Sequence, residues 1–566
     1  MVRVVCFCLT VLLTVLAFLA AKLGLLYLFG FHTWTAPPIA DVDVPTPTSE
    51  EPEQSAPHLE ALQELRRGNA KAALAKARGC AAEYGGCRSL LGELYLTGTE
   101  VSQDLAQALH WFQAGADLGD PDSQYALGVL YANLLDEESS LELQKNEGLS
   151  ILYLYAASLS GHLGAMMAMG YRHLQGLGAP RACGTAALNY IEVARRVAQV
   201  YSSGMPKAVE LVRLGVDNRD RQMSISEMAV FVEIAASGDA NVAAAVGKRY
   251  LLGLEGFHQN YARAAGHLTT AAQKQHPNAM ALLGYMYSLG LGVTKDFDRA
   301  YRYFQDAASR DDALGHNGLG FIYFHGTKTQ AQDFDLAFRH FNFSAHAGSA
   351  DGMFNLGSLY LTGTGTEQSF QRAAHWYTQA LDRGHTPAAY TLAVMHLNGI
   401  GAVRNCKMAV ELLKRVCERG SWVSGKLREA YDLQEQHSSE AAAWRFLQLA
   451  EAGHEVAQMN AAHLFDSGAA SFLLNTSESD AAEPEERRWG RFFAQRHYEL
   501  SAEQGNAFSE LRLGDFAYYG WGFRLHSSAA VAEFEEDCRV VSEPQSKAQR
   551  SSSCGLQQFR MSSETF

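Results

Sequence analysis

Cysteine and positive charge are both scarce in this sequence. Its 566 residues include 9 cysteines, too few for a disulfide-built scaffold, although one or two bridges remain compatible with an oxidising compartment. Lys and Arg number 47 against 61 Asp and Glu, and the net charge is −14. Since nucleic-acid binding selects for basic faces, we expect no nucleic-acid partner.

The short motifs of common catalytic and metal sites are also missing. The sequence has no P-loop, no paired-cysteine motif with zinc spacing, no HExxH and no nucleophile elbow. The glycine triplets at residues 290–292, 363–365 and 399–401 do not follow a strand pattern and therefore do not indicate a phosphate loop. The sequence predicts a protein that is not an enzyme and has no catalytic residue, metal site or cofactor.

What the sequence has in abundance is a repeated spacing of glycine and tyrosine. In each copy a tyrosine follows an origin glycine by three residues, and a second glycine follows after three more. The clear copies contain the pairs Gly92 and Tyr95, Gly247 and Tyr250, Gly284 and Tyr287, Gly320 and Tyr323, and Gly357 and Tyr360. From Gly247 onward the copies start 36 or 37 residues apart, which predicts a stack of repeated units.

Each copy predicts a helix, a turn and a second helix. The second glycine suits a left-handed helix end, and twelve residues after the origin comes a residue that can cap the next helix. These cap residues are Asp104, Asn260, Asp296, Asp333, Ser369 and Asn405. Four residues after each cap stands an alanine, which indicates that two helices approach closely there. Aromatic side chains seven and eight residues after the cap are predicted to join the repeats rather than to bind a ligand.

The first 31 residues differ from the rest. Val4 to Ala21 is an uncharged apolar run, and a second apolar stretch follows Lys22. This segment fits either a membrane anchor or a cleaved signal peptide, and both would carry the repeats across the membrane. Residues 32–57 are acidic and rich in Pro and Ser, which predicts a disordered linker.

Two sequons and two cysteines are candidate modification sites. Asn342 in "NFS" and Asn475 in "NTS" are candidate N-glycosylation sites, and Asn475 lies in the longer insertion. Cys80 and Cys87 flank a predicted turn and are the preferred disulfide pair. Cys406 and Cys417 would lie on one helix roughly 16 Å apart, beyond disulfide reach, so we interpret both as buried thiols.

The repeat frame resembles the Sel-1-like repeat, a relative of the tetratricopeptide repeat, over roughly residues 85–523. Longer stretches are similar to the metazoan sel-1 homolog family. They are "GYRHLQGLG" and "ACGTAALNYIEVARRVA" within residues 170–198, "VRNCKMAVELLKRVCERG" at 403–420, "LAEAGHEVAQMNAAHLFDSG" at 449–468 and "LRLGDFAYYGWG" at 511–522. The fold that this resemblance and the period imply is all-α, an α-solenoid of helix-turn-helix repeats of about 36 residues.

The resemblance also implies a function. Members of this family are adaptors of endoplasmic-reticulum-associated degradation, which link misfolded lumenal clients and glycan-reading lectins to derlins and a synoviolin-type ubiquitin ligase, and their central repeats self-associate. The repeat spacing ends at Phe523, where the family continues with further repeats and a membrane segment. The alternative is therefore a lumenal scaffold or quality-control factor that does not engage the ligase.

Breaks in the spacing predict the organisation of the chain. We expect N-terminal repeats at 58–198, an interdomain loop at 199–225 and central repeats at 226–420. Incomplete C-terminal repeats at 421–523 and a Ser-rich disordered tail at 524–566 would follow.

Overall fold

A computed structural model describes residues 57–133, 146–203, 211–216, 225–473, 485–519 and Trp521. The described chain consists of α-helices joined by turns, and no β-strand occurs in it, so the prediction of an all-α fold of paired helices is confirmed. In chain order the helices are α1 Pro57–Arg66, α2 Ala70–Cys80, α3 Gly85–Thr97, α4 Leu105–Asp117, α5 Pro121–Asn133, α6 Glu147–Leu159, α7 Leu163–Gln175, α8 Cys183–Ser203, α9 Ile225–Ala236, α10 Ala240–Leu252, α11 Tyr261–Gln273, α12 Pro277–Leu289, α13 Phe297–Ala308, α14 Ala313–His325, α15 Phe334–His346, α16 Ala350–Thr362, α17 Phe370–Asp382, α18 Thr386–Asn398, α19 Cys406–Cys417, α20 Ser421–Glu435, α21 Ser439–Glu451, α22 Glu455–Asp466, α23 Glu485–Ala502 and α24 Ala507–Tyr519.

The chain forms two compact units that do not follow its linear order. The first unit contains residues 190–208 and 221–420, and the second contains 52–189, 209–220 and 421–566, as far as these are described. Within the second unit the N-terminal helices therefore share a body with α20–α24. Helix α8 continues to Ser203, so the loop predicted at 199–225 is shorter at its start. Two residues of that loop are held by hydrogen bonds within the second unit. The backbone N–H of Val212 donates to the hydroxyl of Tyr431, and that of Leu214 donates to the side-chain oxygen of Asn460.

The second helix of a repeat begins where the sequence predicts. The side chains of all six predicted caps accept a hydrogen bond from the backbone N–H three residues later, at distances of 2.9–3.3 Å. The first helices end at glycines in the left-handed region, for example Gly253, Gly290 and Gly363 with φ of 70–77°. Gly326 has a positive φ of 69° but an extended ψ of 162°, and its turn differs from the others.

The caps of the first helices could not be assigned from residue type alone. His162, His276, His385 and His454 each accept the N–H of the third following residue through Nδ1. Because Nδ1 accepts, Nε2 carries the proton, and the Nε2 of His385 lies 3.2 Å from Asp351 of the preceding repeat. All four precede the origin residue by eight positions, where Asp239, Asp312 and Ser349 are caps in other repeats. That shared offset is the signal that identifies them.

The origin glycines make room for a large side chain eight residues after the cap. A Cβ added to Gly284 would lie 2.6 Å from the Phe304 ring, and one added to Gly320 would lie 2.6 Å from Phe341. Gly92 faces Phe112 and Gly357 faces Tyr377 in the same way. The alanines four residues after the six caps are all fully buried. Small residues on one helix and rings on the next thus set the spacing of the helices.

A buried cluster of charges lies within the second unit. Arg172 on α7 is 1% exposed and Glu451 on α21 is 3% exposed, and they are joined at 3.1 Å. Arg172 also contacts Glu147 at 2.7 Å, and Arg496 contacts Glu451 at 3.0 Å. Burial alone would raise the pKa of Glu451, but Arg496 and Arg172 lower it to about 2. The carboxylate therefore stays charged and joins helices almost 280 residues apart in sequence.

The described cysteines include both disulfide-bonded residues and a free thiol. Cys80 and Cys87 form a disulfide with Cα atoms 5.9 Å apart, which links the end of α2 to the first turn of α3. Cys417 is a buried free thiol, and burial raises its pKa well above the ordinary value. Our interpretation of Cys406 as a buried thiol is wrong, because Cys406 is disulfide-bonded.

In the part of the chain that the structure describes, none of the helices has the length and apolar composition needed to cross a membrane. The predicted N-terminal apolar segment at 1–31, nearly all of the linker, the tail at 524–566 and Asn475 lie outside the described residues.

The glycine packing predicts opposite effects of one substitution at two helical positions. Gly284→Ala places a methyl group against the Phe304 ring and should destabilise the protein by about 1–3 kcal/mol. Gly266→Ala lies on α11 where a Cβ would meet nothing within 4 Å, so better helix propensity should stabilise it by about 0.5–1 kcal/mol. Chemical denaturation of the two variants tests this. Equal effects of the two changes would contradict the close approach at Gly284.

Candidate functional site: a tyrosine face on the central repeats

The tyrosine of each repeat joins the end of the first helix to the start of the second. Its backbone carbonyl accepts the N–H of the cap residue: Tyr250 from Asn260, Tyr287 from Asp296, Tyr323 from Asp333 and Tyr360 from Ser369, at 2.8–2.9 Å. Tyr95 accepts from Asp104 in the same way in the second unit. The bond fixes the backbone from which each ring projects. In the first unit, four half-buried tyrosines therefore recur at intervals of one repeat.

Three of the four rings stack on a second ring from the following helix. Tyr250 lies on His267, Tyr287 on Tyr303 and Tyr323 on His340, with centroids 5.5–5.7 Å apart and planes within 12°. The second ring comes from the position seven residues after the cap. The ring at that position is half-exposed, whereas its neighbour eight residues after the cap is buried against the origin glycine. The two predicted aromatic positions thus have separate roles, one in the core and one at the surface.

Arginines cover three of these tyrosines. The guanidinium carbons of Arg263, Arg299 and Arg372 lie 5.5–5.7 Å from the ring centroids of Tyr250, Tyr287 and Tyr360. All three arginines stand three residues after their cap and are exposed. A cation over an aromatic face is attracted by the electrons of the ring. In the copy with Tyr323 the equivalent residue is Leu336, and the hydroxyl of Tyr301 instead lies 3.2 Å from that of Tyr323.

We call Tyr250, Tyr287, Tyr323 and Tyr360, together with the rings and arginines that contact them, the tyrosine face. The electrostatics of this face favour binding over proton transfer. A hydrogen bond with Tyr301, together with burial, raises the pKa of Tyr323 to about 12. Burial and the neighbouring His316 lower the pKa of His340 to about 4, and burial lowers that of His267. Tyr323, His340 and His267 are therefore neutral near pH 7. No group of three potential metal ligands occurs among the described residues.

The tyrosine face is therefore a candidate protein-binding surface. Tyrosine and arginine are enriched among the residues that contribute most to protein–protein binding. The five predicted tyrosines lie at equivalent positions, and the structure brings four of them onto one unit. Sequence reasoning found the tyrosines as elements of the repeat but missed the arginines above them. Their constant offset from the cap was the available signal.

Comparisons with known proteins agree with this architecture. A family model described as Sel1 repeat matches residues 87–120, 121–162, 164–192, 240–276, 277–312, 313–349, 350–385, 386–421 and 493–506. Protein sel-1 homolog 2 of Homo sapiens is 30% identical over 463 residues, which cover 80% of this chain and 64% of the human protein. The chain therefore covers less than two thirds of that relative.

More distant similarities extend to plants and bacteria. The ERAD-associated E3 ubiquitin-protein ligase component HRD3B of Arabidopsis thaliana is 26% identical over 255 residues, 43% of this chain and 39% of the plant protein. A solved protective antigen of uropathogenic Escherichia coli strains, described as displaying an SLR fold, is 21% identical. It covers 86% of this chain and 90% of its own, with a TM-score of 0.27.

The histidine pair beside Tyr323 predicts a pH-dependent stability. The Nδ1 atoms of His316 and His340 lie 2.9 Å apart, so one donates and the other accepts while both rings are neutral. The pKa of His340 is about 4 in the folded protein and about 6.5 in an unfolded chain. The unfolded chain therefore binds more protons between these values, and stability should fall as pH decreases from about 6.5 towards about 4.

Thermal unfolding at several pH values tests this prediction. His340→Gln should make Tm less dependent on pH by a few degrees over this interval. His375→Gln, at an exposed position on α17, is the matched control and should leave the dependence as in the wild type. If the Tm of His340→Gln depended on pH as in the wild type, His340 would not be the cause of the pH-dependent stability.

Proposed function

Because this chain belongs to the Sel1 repeat family, we propose that it is a non-enzymatic adaptor in endoplasmic-reticulum-associated degradation. In this role it holds misfolded lumenal proteins and glycoproteins and presents them to a synoviolin-type membrane ubiquitin ligase. Derlins and glycan-reading lectins are the further partners that we propose. The repeats lie in the lumen of the endoplasmic reticulum, and the N-terminal segment either anchors the chain or is cleaved.

The observation that carries this proposal is the agreement of two independent features. Relatives that cover 80%, 43% and 14% of the chain are named as a sel-1 homolog or as components of an ERAD-associated ubiquitin ligase. The tyrosine face supplies a row of exposed Arg side chains over Tyr rings, the two residue types that contribute most often to protein–protein binding. A stack of repeats offers an extended surface on which several proteins can bind at once. We also propose that the central repeats associate with a second copy.

Partner recovery from microsomes tests the adaptor role. The tagged full chain should recover the synoviolin-type ligase and derlins after gentle solubilisation, as measured by mass spectrometry. Reversing the charges of the tyrosine face with Arg263→Glu, Arg299→Glu and Arg372→Glu should reduce this recovery at least tenfold, because the partner loses three arginine contacts. The matched control is Arg302→Glu with Arg339→Glu, two exposed arginines on the same series of helices that cover no tyrosine ring.

The outcomes separate the two candidate functions. Recovery of clients or lectins without any ligase would instead support a lumenal scaffold that does not engage the ligase. An equal loss of ligase in both arginine variants would contradict a specific role of the tyrosine face.

If the repeats enter the lumen as proposed, Asn342 on α15 should be N-glycosylated. The asparagine is half-buried, and Ser344 of its sequon is fully buried and donates to the carbonyl of Ala313 at 2.7 Å. A glycan must therefore be added before this helix packs. Treatment with an N-glycosidase should increase the gel mobility of the wild type, and Asn342→Gln should remove part or all of the shift. Asn475→Gln measures the contribution of the second sequon, and a chain whose mobility never changes would contradict lumenal glycosylation.

A further inference from the structure

Three positions of the second helix are all exposed in the copies capped by Asp104, Asp296 and Ser369, and at least one of them is partly buried in the copies capped by Asn260, Asp333 and Asn405. They stand six, nine and thirteen residues after the cap. In the copies capped by the six predicted residues, none of these positions carries a large apolar side chain. They are occupied by His110, Gln113 and Asp117, by Gly266, Thr269 and Gln273, by Arg302, Gln305 and Ser309, by Arg339, Asn342 and His346, by His375, Thr378 and Asp382, and by Glu411, Lys414 and Glu418.

Helix α6 departs from this rule at all three positions. Its cap is Asn146, whose side chain accepts from the N–H of Leu149, so the frame is unambiguous. The three positions are Leu152, Tyr155 and Leu159, with exposures of 59%, 52% and 71%. We call these three residues the apolar stripe. Leu188, six residues after the equivalent cap position in the next copy, is 74% exposed.

The apolar stripe is not the side of α6 that packs into the repeat core. The other side of α6 already makes the contacts that the frame requires. Leu154 is fully buried against Gly128, and Ser150 donates to the carbonyl of Gly128 at 2.7 Å. Ala157 is also fully buried. Since folding does not need apolar residues at the stripe, their exposure indicates a binding surface.

The size and charge of the stripe limit what can cover it. From Leu152 to Leu159 the helix rises by about 10 Å, which matches two turns of a helix or about three residues of extended chain. A stable interface between folded proteins buries about 800 Å² on each side, contributed by some 20–30 residues, so three side chains are too few for a folded partner or a second copy. The sole charged residue of α6 is Glu147, whose carboxylate pairs with Arg172 at 2.7 Å. The stripe therefore offers no charge to attract an ionic ligand.

We propose that the apolar stripe is the docking site for a single uncharged, apolar polypeptide segment, of the kind that an unfolded chain exposes. This inference rests on the proposed function, because it assigns a contact surface for the misfolded client. The client segment lays Leu or Phe side chains between Leu152, Tyr155 and Leu159. Burial of apolar surface supplies the affinity, and the absence of charge makes binding tolerant of sequence.

The repeat frame provides fold-preserving variants to test this assignment. Leu152→Arg, Tyr155→Gln and Leu159→Ser together give α6 the residues that stand at the same positions in the copy capped by Asp296. The reciprocal variant combines Arg302→Leu, Gln305→Tyr and Ser309→Leu, and transfers the stripe to that copy. Circular dichroism and thermal unfolding should show both variants folded as the wild type.

Binding is measured with the purified full chain by fluorescence anisotropy. The probe is a short fluorescein-labelled peptide that alternates Leu and Phe with Ser, and its control has every Leu and Phe replaced by Ser. The wild type should bind the apolar peptide and not the control. The triple variant of α6 should lose at least tenfold in affinity. A protein that carries both sets of substitutions should regain part of that loss.

Two results would overturn the proposal. One is equal affinity of the wild type and the triple variant of α6 for the apolar peptide. The other is a wild type that runs as a dimer in size-exclusion chromatography and becomes monomeric in the triple variant, which would make the stripe an interface between copies. The triple variant should still recover the ligase from microsomes. If the wild type recovers no ligase but its peptide binding depends on the stripe, the adaptor role fails while the docking site stands.

Discussion

The contact between an origin glycine and the large side chain eight residues after the cap is the constraint on which each repeat depends. The ring or branched chain can only be buried if the opposite helix has no side chain there, as at Gly284 beneath Phe304. The close approach also brings the tyrosine carbonyl within reach of the cap N–H. Core packing, the start of the second helix and the position of the surface tyrosine are thus one geometric arrangement, repeated along the chain.

The second unit adds a constraint that no single repeat contains. Arg172 stands two residues after Gly170, at a position where five other repeats bury an apolar side chain and the copy that starts at Gly247 has the partly exposed Arg249. The five apolar residues are Leu94, Met286, Ile322, Leu359 and Met395. A buried guanidinium is stable only with a buried carboxylate beside it, and Glu451 supplies this from α21. The N-terminal repeats therefore complete their core with residues from the end of the described chain, which makes the unit discontinuous in sequence.

The local features of this fold could be predicted from the sequence, and the long-range ones could not. Caps such as Asp296 and the left-handed glycines depend on residues within one turn, so their spacing was sufficient. Cys406 was misinterpreted because only its neighbour Cys417 on the same helix was considered as a partner. The pairing of Arg172 with Glu451 leaves no periodic signal, since it joins two irregular positions. The tyrosines of the surface face could be predicted from the spacing, and the covering arginines recur three residues after the cap, but their contact with the rings is visible only in the structure.

The repeat frame also explains why fold and function are hard to separate at some positions and easy at others. Tyr287 contributes its backbone to the turn and its ring to the surface, so a change there alters both stability and recognition. Arg299 contacts the exposed face of that ring and the carboxylate of the cap Asp296 at 3.2 Å, so its side chain is not part of the repeat core. At the apolar stripe, fold and function are separable, because the repeat core does not use these side chains. The frame places no demand on Leu152 or Tyr155, and their apolar character must therefore be explained by something outside the repeat.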